Sequence, residues 1–453
     1  MPYENEYAGY EPLRRILESP QVSAIRDRFK KKLSASEDQV EVLPLINANN
    51  LETTNWKADL VVGIDGSFHS VDADTGYPGA EYGYVTVASV VILLDKIREL
   101  SEAGNIHPKE YRKTEKPVTF DAVYPGCNVI IDGENDPVHS FRLAFYEQLS
   151  THSAFEEGES LLDTYNALIQ TRISSTNVGK KRPDCPYNTD HKLEYNQGAY
   201  LCPVCRNQLY ATDALRLHEL LNAVGSSGEM YGQAMMTIEK LWLVHVIRAF
   251  EIKRNWIRTL GRMVFVIDGP LAVYSTSAWL SQTIKGELRR LNRVQKEKTH
   301  TDLLILGIEK TGNFVNHFEA IDITDKNGVP AFPNRSFLLL TDNYIKKNII
   351  LSSGREQYGA STYFGRKLFY KTSNGHRLVV SVATFSDRQD SLETANINQF
   401  PRISDIAYTL DQLSSNRYPN AVIPLISAHS EASIPLNIGK KLFDELANEI
   451  ADA

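Results

Sequence analysis

Two Ile-Asp-Gly triplets each close a short apolar run: Asp65 ends VVGIDG and Asp268 ends VFVIDG. A buried strand holds its last side chain rigidly, and a following glycine lets a ligand or ion approach the backbone. Two carboxylates fixed in this way can share a divalent cation, the usual start of a metal-dependent phosphoryl-transfer site. A third copy, Asp132 in CNVIIDG, precedes a helix-like stretch and is set aside. A further carboxylate is expected from the long apolar stretch over residues 230–260. Glu251 in RAFEIKRNW has apolar flanks and leads into the Asp268 strand, so it is preferred. Glu239, about three turns earlier on the same helix face, is the alternative. Near the end of the sequence His429, in LISAHSEASI, offers an imidazole that can bind a metal or assist proton transfer.

Each of these residues also has an ordinary reading. A strand-end Asp commonly caps a turn, a helical Glu pairs with a neighbour such as Arg248 or Arg254, and a His among apolar residues is commonly a satisfied core residue. Taken together, Asp, Glu, Asp and His suit two-metal phosphodiester hydrolysis. There, carboxylates bridge and cap cations that activate water and stabilise the leaving oxygen.

A separate group, Cys185, His191, Cys202 and Cys205, has the spacing C-x5-H-x10-C-x2-C. CPVC is a chelating knuckle, and four soft or borderline ligands on two loops predict tetrahedral structural zinc. With every position filled by protein, this zinc is not catalytic; it holds together an insertion with little core of its own. A redox Cys-x-x-Cys is disfavoured, because no thioredoxin-like strand and helix surround it.

The elements that must position these residues are legible as periodicities. DLVVGID and YGYVTVASVVILL read as paired strands, followed by helical stretches around HSFRLAFYEQL and SLLDTYNALIQTRI. Residues 177–210 break the periodicity, and ATDALRLHELLNAVG, with Thr212 as N-cap, restarts helix. The long apolar helix feeds MVFVID; SAWLSQTIKGELRRLNRVQKE feeds TDLLILGIE; KLFYKTSNGHRLVVSVAT is a hairpin turning at Asn374-Gly375. The alternation predicts an α/β fold. The expected divisions are a helical arm at 1–57, a main domain at 58–435 interrupted by the insertion at 177–210, and a C-terminal helix at 436–453.

The formal net charge of −7 and 42% hydrophobic content describe an ordinary globular chain and do not advertise a nucleic-acid binder. A local basic track is compatible with them. Lys285, Arg289, Arg290, Arg293, Lys296 and Lys298 share one helical segment, although Glu287 and Glu297 interrupt it, and Lys310 ends a strand near the carboxylates. These are the candidate DNA contacts. No run reaches the ~20 apolar residues that span a bilayer, so no membrane association is expected. The opening MPYENEYAGYEPLRRI has no signal-peptide order, and a cytoplasmic location is expected.

GIDGSF, Glu251 on the helix leading into VIDGPL, and the Ala-His of PLISAHSEASI together resemble the NurA nuclease family from about Asp59 to Ile434. The resemblance implies an RNase H-like mixed sheet flanked by helices, with the zinc-binding insertion as an elaboration. It implies DNA end processing dependent on Mn²⁺ (or Mg²⁺), with Asp65, Glu251, Asp268 and His429 as metal and catalytic residues. It also implies a homodimer partnered with a HerA-like hexameric ATPase that drives DNA towards the nuclease, in repair or in anti-phage defence. The family's tyrosine ahead of the histidine corresponds most nearly to Tyr418. Two other readings compete: a catalytically silent zinc-stabilised adaptor, and a Piwi-type nuclease on the same core. The filled acidic positions oppose the first, and the lack of a basic-aromatic 5′-phosphate pocket opposes the second.

Overall fold

The computed structural model describes residues 11–29, 43–73, 79–96, 114–156, 158–174, 182–253, 256–323, 329–415 and 420–433. Tyr418 and the expected C-terminal helix at 436–453 lie outside them. Of the expected helical arm at 1–57, two short helices are described, α1 (Glu11–Glu18) and α2 (Pro20–Arg26), parted at Ser19-Pro20. Its later part is not helical: Leu45–Asn47 is an edge strand of the main sheet, followed by a 3-10 turn at Ala48–Asn50.

The chain supplies β1 (Leu45–Asn47), β2 (Leu60–Ala73), β3 (Ala80–Leu93) and β4 (Glu115–Pro125). Four short strands of the cysteine-bearing segment follow: β5 (Asp184–Cys185), β6 (Asn188–Lys192), β7 (Ala199–Leu201) and β8 (Gln208–Tyr210). Then come β9 (Met263–Asp268), β10 (Leu304–Glu309), β11 (Ser336–Leu339), β12 (Gly365–Lys371) and β13 (Arg377–Ala383). Nine of them form one sheet in the order β1-β11-β12-β13-β10-β9-β2-β3-β4. Strands β2, β3 and β4 are antiparallel neighbours, and β2, β9 and β10 run parallel. That five-strand block is an RNase H-like arrangement, extended beyond β10 by antiparallel pairing through β13, β12, β11 and β1. Parallel strands must be covered on both faces. Accordingly, β9 sends Met263, Phe265 and Ile267 into one core and Val264 and Val266 into the other.

The first core holds α3 (Pro137–Thr151), α4 (Leu161–Ser174), α5 (Gly228–Ile252) and α6 (Leu280–Thr299). After α7 (Asn313–Ile321), the opposite face is covered by α8 (Ile403–Leu413) and α9 (Ile423–Ala432). Helix α5 is apolar nearly all round, as a helix enclosed by other elements must be. Its Trp242 donates to Ser89 Oγ of β3 at 3.0 Å.

Two local expectations change. The stretch after β8 is not a helix but two 3-10 turns, Ala211–Leu215 and Leu217–Leu220. Asp213 there accepts from Tyr210 N and forms a buried bidentate pair with Arg142, and Arg216 sits at φ 59°, which stops helical propagation. The long helix ends at Ile252, so that a turn at Thr259–Arg262 can lead into β9. The cysteine-bearing segment also does not stand apart: Cys185 and Cys202 belong to the same core as α3 and α4.

Candidate active site

Asp65 and Asp268 occupy neighbouring parallel strands. Asp268 ends β9 as expected, but Asp65 does not end a strand: β2 runs on to Ala73 in register with β3, and only its parallel pairing with β9 stops, at Ile64 opposite Ile267. Asp268 lies opposite Ile308 of β10, and Lys310 comes two residues further on the same face. The Lys310 ammonium reaches both carboxylates, 3.0 Å from Asp268 Oδ1 and 3.8 Å from Asp65 Oδ2. Helix α9 lies against β2 at Gly63, where a Cβ would stand 2.3 Å from the Pro424 carbonyl oxygen. That close seating brings His429 Nδ1 to 3.1 Å from Asp65 Oδ2.

Glu239 arrives from the opposite face of the sheet. Its approach passes over Gly66, where a Cβ would lie 2.8 Å from Glu239 Oε1 and 2.8 Å from Met235 Cγ. The Gly66 N–H donates to Asp65 Oδ1 at 2.8 Å. Lys240, buried beside it, donates to Glu239 Oε2 at 3.1 Å and to the Asp268 carbonyl oxygen at 3.3 Å. Gly269 at φ 75° turns the chain away directly after Asp268. Asp65, Glu239 and Asp268 thus share the lining of one cavity of about 180 Å³.

Burial pushes the Asp65 carboxyl up to about 8; Asp268 adds to the rise, Lys310 opposes it and Glu239 adds again. Burial also raises Glu239, against the pull of Lys240. Carboxylates gathered in this way disfavour one another's ionisation until a cation joins them. Three carboxylates and an imidazole form a donor set for a hard divalent ion. By donor type, the residues suit a hard ion such as Mn²⁺ or Mg²⁺.

Of the residues expected from the sequence, Asp65, Asp268 and His429 are brought together, and Lys310 joins them as an ion-pair partner. Glu251 is not. It lies about 18 Å along α5 from Glu239 and accepts both Nη atoms of Arg290, at 2.7 and 2.6 Å. The structure places Glu239, the alternative, at the cavity with the two aspartates and Glu251 away from it, against Arg290. Lys240 was missed altogether; its signal was a lysine adjacent to an acid within a helix otherwise apolar. The expected basic track is largely consumed within the fold. Arg290 also pairs with Glu287, Arg289 with Asp387 and Asp390, Lys285 with Asp390, and Lys296 with Asp302, while Arg293 is exposed. On the nuclease expectation, Glu239→Gln should lower cleavage on the order of 100-fold or more, since it removes one of the three carboxylates that line the cavity. Glu251→Gln should leave the rate unchanged and cost no more than about 1 kcal/mol. Parallel rate and urea-midpoint measurements on the two variants decide between the glutamates.

Cys185, His191, Cys202 and Cys205 offer ligand atoms within 4.8 Å of one another. Cys185 Sγ and Cys205 Sγ are 3.8 Å apart, and His191 Nε2 is 3.1 Å from Cys202 Sγ. With Zn–S bonds near 2.3 Å, a tetrahedron has sulfur–sulfur edges of about 3.8 Å, so the cluster fits an ion of that size. Burial works against the Cys202 thiolate, but the N–H groups of Cys205 and Val204 and the His191 side chain hold its thiol down to about 6. A ready thiolate is what a metal ligand requires.

The NurA domain is matched over residues 59–434, most of the chain. The chain belongs to the NurA family. NurA proteins are metal-dependent nucleases known to work with HerA and DNA. Among solved structures, the NurA nuclease from Sulfolobus solfataricus is 13% identical, with 98% of this chain and 96% of that one covered at a TM-score of 0.31. A second NurA structure is 11% identical, with 98% of each chain covered at a TM-score of 0.26. No curated protein is matched. Among the described residues, no helix is long and apolar enough to cross a membrane.

Proposed function

We propose that this NurA chain is a Mn²⁺- or Mg²⁺-dependent deoxyribonuclease that cuts DNA ends and single strands by a two-metal route. It acts in the cytoplasm as a homodimer fed by a HerA-like hexameric translocase, in DNA end processing or anti-phage defence. The observation that carries the reading is the convergence of Asp65, Glu239 and Asp268 on one cavity, where β9 ends and its pairing with β2 stops. The divalent ions, held by these carboxylates and His429, would supply Lewis acidity at the phosphate and lower the pKa of the attacking water.

The protein's own groups do the remaining work. The interior of β2 fixes Asp65 and the end of β9 fixes Asp268, and the Gly66 N–H holds Asp65 Oδ1 in one orientation. Lys240 anchors Glu239 through a buried ion pair. Lys310, partly exposed and already between two carboxylates, is placed to exchange them for a phosphate oxygen of the substrate. His429, more than half exposed, stands beside Asp65 as an imidazole ligand open to solvent. The Cys/His cluster is assigned structural zinc. A complete acidic set speaks against a silent adaptor.

The test is an assay on linear and circular DNA with Mg²⁺, Mn²⁺ or chelator, with and without the translocase. Degradation of linear DNA that requires the added ion is expected. Intact DNA under every condition would overturn the reading.

A further inference from the structure

The cavity bounded by the three carboxylates extends beyond them along an apolar wall. Met235, Met236, Val273 and Tyr274 line it, and Gln233 contributes an amide. At about 180 Å³ it falls below the ~300 Å³ at which drug-sized pockets begin. It has room for one flat ring system and not for a base pair. The Tyr274 side chain is held firmly. Its hydroxyl donates to Tyr363 Oη at 2.6 Å, Tyr363 in turn shares a 2.8 Å hydrogen bond with Tyr358, and the Tyr274 and Tyr363 rings meet edge to face.

The backbone beneath is pinned as well. Val273 N donates to the Thr362 carbonyl at 2.9 Å, Phe364 N donates to that of Leu271 at 3.0 Å, and Ala272 pairs with Tyr363 in a β-bridge. With its hydroxyl committed, Tyr274 has only its ring to offer a ligand, and that residue stays 37% exposed. The two methionines of the lining are soft and adaptable, able to accept rings of different outline. A Gln amide has both a donor and an acceptor for a base edge.

We infer that this cavity is a subsite for one unpaired nucleobase of the strand being cut, stacked on Tyr274 while the adjoining phosphate lies at the carboxylates. The inference rests on the nuclease reading above and adds to it a requirement for single-stranded character at the cut. A fixed aromatic face binds every base through its π surface, so the subsite is tolerant of sequence. A duplex end must open by at least one nucleotide before cleavage.

The experiment uses the full chain with Ca²⁺ in place of the catalytic ion, and short single strands carrying 2-aminopurine, or an abasic residue, at each position in turn. Quenching of 2-aminopurine at one position is expected with the unmodified protein. Tyr274→Ala should lose the quench and bind the intact strand roughly tenfold more weakly, as loss of one stacked base implies. Tyr274→Phe should restore both. A strand abasic at that position should bind Tyr274→Ala and the unmodified protein equally. Absence of quenching at every position overturns the inference, as does an equal loss of intact and abasic binding in Tyr274→Ala, which marks a merely structural role. The nuclease reading is scored separately: protein that cuts DNA without quenching defeats only the base subsite, and protein that quenches without cutting under Mg²⁺ or Mn²⁺ defeats only the nuclease.

Discussion

Asp65→Asn is expected to abolish DNA cleavage while leaving the melting temperature of the metal-free protein unchanged or raised. The loss should be on the order of 10³-fold, about 4 kcal/mol of transition-state stabilisation. Asparagine keeps an acceptor for the Gly66 N–H and fills the same volume, so packing against α9 survives. It removes a carboxylate that is 3% exposed and crowded by Asp268 and Glu239, a charge that costs stability without a cation. The opposite signs of the two effects make the test sharp. A variant that cuts at the normal rate removes Asp65 from the site, and one that is less stable than the unmodified metal-free protein overturns the view of its carboxylate as a buried, crowded charge.

Cys202→Ala is expected to reduce bound zinc from one ion per chain to none, measured by metal analysis after dialysis, and to lower the melting temperature by several degrees. Metal binding at such clusters contributes roughly 10 kcal/mol or more in isolated finger peptides, much of it as folding free energy. Here the loss reaches further than the cluster. Cys185 and Cys202 are buried in the main core, and the next segment holds the Arg142–Asp213 pair, 1% exposed on both sides. Trp279 donates to the Ala214 carbonyl at 2.9 Å, which ties that segment to the chain beside Tyr274. Stoichiometric zinc in Cys202→Ala would refute the cluster.

The two aspartates were legible because each closes an apolar run, and such runs become interior strands in a sheet covered on both faces. That β2 runs on past Asp65 to Ala73 was not, because the residues beyond it pair with β3 alone. The α/β character and the Asn374-Gly375 hairpin followed from the same periodicities. The choice between Glu239 and Glu251 was not legible. Helical periodicity tells which residues share a face and says nothing about which turn stands level with the two aspartates. That level is set at the far end of α5, where Glu81 accepts from Ser227 N at 2.7 Å and from Ser226 Oγ at 2.8 Å. The basic segment misled for a similar reason. Its partners Asp387, Asp390 and Glu251 are distant in sequence, and only the folded chain brings them to Arg289 and Arg290.

A sheet packed on both sides is a partition, and the site is assembled from both sides of it. Asp65, Asp268, Lys310 and His429 belong to one side, and Glu239 to the other. The opening between them is a missing side chain at Gly66. The two Ile-Asp-Gly triplets therefore use the same glycine for unlike purposes: Gly269 for a backbone angle closed to other residues, Gly66 for vacant space. The consequence is a mechanical linkage through one residue. Slipping β2 by a single position would turn Asp65 to the wrong side and shut the opening together, so strand register and assembly of the acidic site cannot vary independently.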